Sequence, residues 1–216
     1  MKRGFILGLA LILGVALPAI ADQVTLTLTG VGVGNNSGGV YTYPYDFTVS
    51  GTPNVPLICD TFTREIYQNE SWTAIVSPLL SATGLFGSGS SLSYEEAGLI
   101  YLGALGQGPL ANYAGINPNA TGLANWAIWY LFDNSVPVPN GFDVTDLISA
   151  AASDVPGYTS LLASVVLYTP NDGTQVPSTD GPPQEFLGTV PEPASLLLMG
   201  TGLLAIGGKL RRKLRS

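Results

Sequence analysis

The sequence contains no histidine. Ser-His-Asp triads, Cys-His pairs, imidazole metal sites and the usual proton shuttle are therefore all excluded, and most familiar hydrolase mechanisms go with them. Cysteine occurs once, as Cys59. No internal disulfide can form, so in an exported chain this residue is an inert buried thiol, one half of an intermolecular bridge, or a reactive group. Positive charge is equally sparse, because every Lys and Arg except Arg64 lies close to one terminus. Between Asp22 and Glu192, Arg64 alone stands against all 15 acidic residues, a net charge of −14. That excludes nucleic acid as a partner and leaves a field that favours solubility and repels anionic polymers.

Long apolar runs are missing from the interior and present at both ends. Lys2 and Arg3 precede the run Phe5 to Ala16, Pro18 breaks it, and Ala19-Ile20-Ala21 supplies small residues ahead of Asp22. This is the three-part grammar of a secretory signal peptide, with signal peptidase as the expected partner and residues 1–21 removed. At the other end Val190-Pro191-Glu192-Pro193 leads into an apolar stretch from Ala194 to Gly208. A basic cluster of Lys209, Arg211, Arg212, Lys213 and Arg215 follows. A helix over that stretch is short for a hydrocarbon core of roughly 30 Å, and snorkelling by Lys209 extends its reach. The positive-inside rule keeps the basic cluster cytoplasmic and puts the Pro-Glu-Pro motif on the export side.

The order of motif, short membrane helix and basic patch resembles the PEP-CTERM sorting signal. The resemblance covers about the last 27 residues, 190–216. It implies processing near the motif by an exosortase, a membrane-embedded cysteine transpeptidase-like enzyme. It further implies a precursor anchored in the cytoplasmic membrane with its C-terminus inside, and a mature form at the cell surface or in the extracellular polymer matrix.

The exported domain, 22–189, has the length of one folding unit with a sizeable core. Val24 to Thr29 alternates apolar and hydroxyl residues, which predicts a half-buried strand. Further strands are expected over Tyr41 to Val49, Val55 to Ile66 and Trp72 to Val76, with a turn at Gly51 to Asn54. The period then changes. Ser93-Tyr94-Glu95-Glu96 matches a capping box for a helix to about Ala104, with Ala97, Ile100, Tyr101 and Ala104 on its docking face. A second helix, about Gly122 to Phe132, is apolar on nearly every side and should be buried. Asp143 is positioned to cap a third through Ala152. Leu161 to Tyr168 and Glu185 to Val190 read as closing strands around an irregular Pro170 to Pro183 loop. The expected class is α+β, a β-rich domain built as a sheet or sandwich with a helical insertion. An N-terminal signal helix and a C-terminal transmembrane helix complete it.

One constellation carries chemistry. Cys59 sits in Leu57-Ile58-Cys59-Asp60, and Asn125 opens Asn125-Trp126-Ala127-Ile128-Trp129 on the buried helix. This resembles the thioester-domain adhesins, in which an early strand bears a Cys and a later helix begins with a Thr-Gln-x-Ala-Ile-Trp-like motif. The resemblance implies a bond from the Cys sulfur to the side-chain carbonyl of the Gln, open to capture by an amine. Ala127-Ile128-Trp129 matches, but Asn125 stands where the family has Gln, one methylene shorter. The alternative to a bond is a packed thiol with Trp126 and Trp129 as core anchors.

Other polar groups are expected to be structural. Glu95 and Glu96 are adjacent on a helix and diverge by about 100°, while Asp143 and Asp146 lack a calcium-loop signature. Asn35, Asn69 and Asn119 head Asn-x-Ser/Thr sequons. No pair of carboxylates is evident from spacing, and no cofactor or metal is expected. The functional expectation is an exported, exosortase-processed cell-surface or extracellular-matrix protein without catalytic activity. Its partners are surface components or extracellular polymer. The alternative is a thioester-type covalent adhesin using Cys59 and Asn125.

Overall fold

The alternation at the start of the domain produces a two-faced strand, β1 (Gln23–Gly30), in which Leu26 and Leu28 are buried while Thr25 and Thr29 face solvent. The computed structural model describes residues 23–31, 36–37, 40–42, 45–116, 122–171, 173–176 and 181–189. After β1, a two-stranded ribbon pairs β2 (Asn36–Ser37) with β3 (Val40–Tyr41). Five further strands are β4 (Tyr45–Val49), β5 (Thr52–Cys59), β6 (Ser71–Pro78), β7 (Val165–Pro170) and β8 (Phe186–Thr189). With β1 they close an antiparallel barrel in the order β1-β4-β5-β8-β7-β6, β6 pairing back to β1.

The expected β-rich sheet is present, closed on itself as a barrel rather than stacked as a sandwich. The two late strands fill the gap between β5 and β6, so no strand of this sheet is left with an open edge. Phe47 of β4, Trp72 of β6 and Phe186 of β8 come from strands that are not neighbours, yet their rings touch. Phe47 meets Trp72 edge-on at 5.7 Å and Phe186 at 4.8 Å between centroids. These rings fill the barrel interior.

The turn expected at Gly51 to Asn54 lies earlier. Ser50 (φ 45°) and Gly51 (φ 88°) form a two-residue reversal, which lets Val49 pair with Thr52 and starts β5 three residues before the expected Val55. Strand β5 also ends sooner than Ile66, because its pairing to β8 covers only Ile58 and Cys59.

Between β6 and β7 lies the expected helical insertion, comprising α1 (Ser91–Ala104), α2 (Leu123–Phe132), α3 (Val144–Asp154) and the short α4 (Thr159–Leu162). The capping box does not form. A 3-10 turn, Ser88–Ser90, winds directly into α1, so Ser93 already lies inside its first turn and the N-terminus has no side-chain cap. Helix α1 is buried from Tyr94 to Ala104 on nearly every side except at Glu95, not on one face, because it packs against α2, α3 and the barrel. Helix α4 occupies the start of the expected Leu161 strand, and β7 begins at Val165. The cap on α3 does form, Asp143 Oδ1 accepting from Asp146 N at 3.1 Å.

The signal segment 1–21, the motif Val190 to Pro193 and the basic cluster from Lys209 to Arg215 lie outside the described residues. Among the described residues, no helix is long and apolar enough to cross a membrane.

Candidate functional site

The two halves of the sequence constellation meet where α2 crosses the end of β5. Gly122 (φ 70°) opens α2 in the left-handed region and lies against Thr42, whose Oγ1 a Cβ would meet at 2.6 Å. Asn125, three positions on, is fully buried, and its Nδ2 donates to the Cys59 carbonyl at 3.0 Å. The same nitrogen is 3.8 Å from Cys59 Sγ. One turn later Trp129 Nε1 donates to Cys59 Sγ at 3.0 Å. Trp126 and Trp129 pack edge to face at 5.0 Å, with Phe62 against both.

Burial pushes the Cys59 thiol up to about 12. The Trp129 hydrogen bond opposes that shift, Asp60 adds to it, and the Asn125 and Tyr45 hydrogen bonds oppose it weakly. Near neutral pH the sulfur is therefore a thiol, held by an indole N–H in an apolar wall. Burial, followed by Cys59 itself, holds Tyr45 well above the usual phenol range.

A second polar site lies one residue away and was not visible in the sequence. Asp60 and Glu185 are both fully buried and lie opposite each other one step beyond the Cys59–Phe186 pair, Asp60 N donating to Glu185 O at 3.3 Å. Glu185 accepts from Leu85 N at 3.2 Å (Oε1) and 3.1 Å (Oε2), from Tyr94 Oη at 2.6 Å, and from Thr169 Oγ1. Thr61 Oγ1 donates to Asp60 Oδ1 at 2.8 Å, whereas Asp60 Oδ2 has no donor in reach. Burial, then the Glu185 charge, raises the Asp60 carboxyl well above its usual range. Burial and the same two carboxyls also raise Tyr94.

Gly84 (φ 48°) permits this arrangement, since a Cβ there would fall onto Tyr94 Oη. The available signal was an acid abutting each of two wholly apolar strand ends, Cys59-Asp60 and Glu185-Phe186. Asp60 also lines a cavity of about 220 Å³ with Phe62, Phe86, Trp129, Phe132 and Asp133.

The other carboxylates behave as structural groups. Asp133 accepts from Ser135 N at 2.9 Å and Ser135 Oγ at 2.6 Å, which lowers it. The Asp146 N–H and Thr145 hydroxyl lower Asp143 at its cap. Glu96 is raised, first by burial and then by Glu95. Asn69 lies in a turn at φ 73°, while Asn35 and Asn119 lie outside the described residues. Among the described residues, no group of three or more acidic or sulfur ligands is placed to hold a metal.

Residues 189–213 match the PEP-CTERM protein-sorting motif. The motif implies an exported protein, anchored by its C-terminus in the membrane and processed by an exosortase. No curated protein sequence matches the chain. Among solved structures the chain is similar to the N-terminal domain of the Streptococcus pyogenes pilus tip adhesin Cpa. Identity there is 15% over 81% of this chain and 96% of that one, with a TM-score of 0.44. It is also similar to the N-terminal thioester domain of a surface protein from Clostridium perfringens (13% identity, 78% and 99% covered, TM-score 0.39). A third is the N-terminal thioester domain of fibronectin-binding protein SfbI from Streptococcus pyogenes (14%, 81% and 100%, TM-score 0.38). All three likenesses are distant.

Proposed function

We propose that this chain is the precursor of a cell-surface or extracellular-matrix protein that acts without catalysis. On this reading, signal peptidase removes residues 1–21, an exosortase cuts near Pro191-Glu192-Pro193, and the acidic barrel domain is what the cell displays. The sorting motif at 189–213 carries the proposal. The absence of histidine and the net charge of −14 between Asp22 and Glu192 fit a displayed or matrix-embedded domain better than a hydrolase.

The covalent-adhesin alternative, a thioester between Cys59 and Asn125, is the less favoured reading. The Asn125 amide nitrogen donates to the Cys59 carbonyl, the sulfur accepts from Trp129, and the thiol is held up at about 12. That arrangement gives the amide nitrogen and the thiol each a noncovalent partner. The intact mass of the secreted protein tests both readings at once. The expected species begins at Asp22, ends near the motif and has the full mass of an unmodified Cys59 and Asn125. A secreted species retaining Lys209 to Ser216 overturns the processing. A mass short by one ammonia and restored by methylamine overturns the preference for a free thiol.

A further inference from the structure

We infer that Asp60 and Glu185 hold one proton between them and act as a pH-sensitive latch joining the barrel to the helical layer beside Cys59. The geometry assigns the proton. Glu185 is surrounded by donors from three directions, the Leu85 amide, the Tyr94 hydroxyl of α1 and the Thr169 hydroxyl of β7, as an ionised carboxylate requires. Asp60 has one oxygen supplied by Thr61 and the other, Oδ2, without any donor, although the register beyond Cys59–Phe186 makes Glu185 its cross-strand neighbour. Two ionised acids in this contact would leave Oδ2 buried and unpaired against a like charge. A proton on Asp60, donated to Glu185, removes both penalties.

The backbone reinforces the contact. Asp60 N donates to Glu185 O at 3.3 Å, and Glu185 N donates to Thr61 Oγ1 at 3.4 Å. A single carboxyl pair thus fastens the end of β5, the start of β8, β7 and, through Tyr94, helix α1.

Among the described residues, no cation facing the pair compensates it. Cys59 precedes Asp60 on β5, Tyr94 faces it from α1 and Asp133 shares the adjoining cavity, and all three are neutral or acidic. The domain's basic residue, Arg64, donates to the Pro183 carbonyl at 3.0 Å. Loss of the shared proton therefore places two like charges in contact, and the cavity of about 220 Å³ that Asp60 lines offers the room into which it separates. Because Asp60 is joined directly to Cys59, that movement loosens the strand end that covers the thiol.

The sign follows from linkage. The folded state keeps the Asp60 proton to a higher pH than the unfolded chain, whose Asp titrates near about 3.9. The latch contributes fully below that value, and its contribution falls as pH rises toward the folded pKa.

The test uses the secreted, processed protein. Denaturant titrations between about pH 5 and about pH 8 should show the unfolding constant of the wild type rising by up to about tenfold per pH unit. In Asp60→Asn, whose amide donates to Glu185 at every pH, that dependence should flatten. Alkylation of Cys59 should accelerate with pH faster than thiolate formation alone in the wild type, and in step with it in Asp60→Asn. Infrared spectra of the wild type need no variant to fold. A protonated-carboxyl band should persist above about pH 6, where exposed carboxyls are ionised. Absence of that band, or equal pH slopes in the two proteins, overturns the latch.

Discussion

Trp129 Nε1 donates to Cys59 Sγ across 3.0 Å, so a helix of the insertion and a strand of the barrel are joined through an indole and a thiol. Replacing Trp129 with Phe keeps an aromatic ring against Phe62 and Trp126 and removes the donor. A loss of about 1–3 kcal/mol is expected from the missing hydrogen bond and the smaller ring. It should appear as a lower denaturant midpoint with an unchanged m-value. The thiol should remain slow to alkylate, since its burial is the larger effect.

Asn125→Ala adds no bulk but leaves the Cys59 carbonyl without its Asn125 donor in a fully buried position. A cost of about 1–3 kcal/mol follows. Asn125→Gln restores the resembled family's residue yet adds a methylene at a fully buried position, at about 1–3 kcal/mol. Comparing both variants by thermal denaturation separates the lost hydrogen bond from overpacking.

Much of this architecture was legible where local pattern and tertiary role coincide. The Thr-spaced alternation of β1, the apolar girth of α2 and the Asp143 cap each express a physical requirement within a few residues. Closure of the barrel does not, because it depends on β8 pairing with Ile58 and Cys59, partners distant in sequence. Ser93 and Glu96 had the right spacing for a box, but the 3-10 turn ahead of them moved the helix start upstream. The Cys59–Asn125 contact was anticipated from a motif resemblance. Asp60 and Glu185 were not, since each alone reads as an ordinary acid at a strand end.

Gly84→Ala should rank among the most damaging single-methyl additions. The backbone there has φ 48°, and the new Cβ would displace Tyr94 Oη from Glu185. Strain and the lost hydrogen bond together predict about 2–4 kcal/mol. Tyr94→Phe, which removes the hydroxyl alone, should cost less, and the difference in denaturant midpoint between the two isolates the backbone strain.

Asp143→Ala should lower the melting temperature at neutral pH by removing the acceptor for Asp146 N. Because those hydrogen bonds depress the Asp143 carboxyl, its contribution is present above the usual Asp value near about 3.9. It is lost as pH falls through the lowered folded value. Variant and wild type should therefore converge in acid, which thermal scans along a pH series can follow.

The last residue of β8, Thr189, is hydrogen-bonded into the barrel opposite Val165, and it is also the first residue matched by the sorting motif. Only Val190 separates it from Pro191. Extended chain advances at most about 3.5 Å per residue, so on the proposed reading an enzyme gripping Pro191 would work within two residues' reach of the folded barrel. On the proposed reading the closing strand would act as a mechanical stop: the same pairing that seals the sheet would limit how far the chain can be drawn into the processing enzyme before the domain itself blocks further entry.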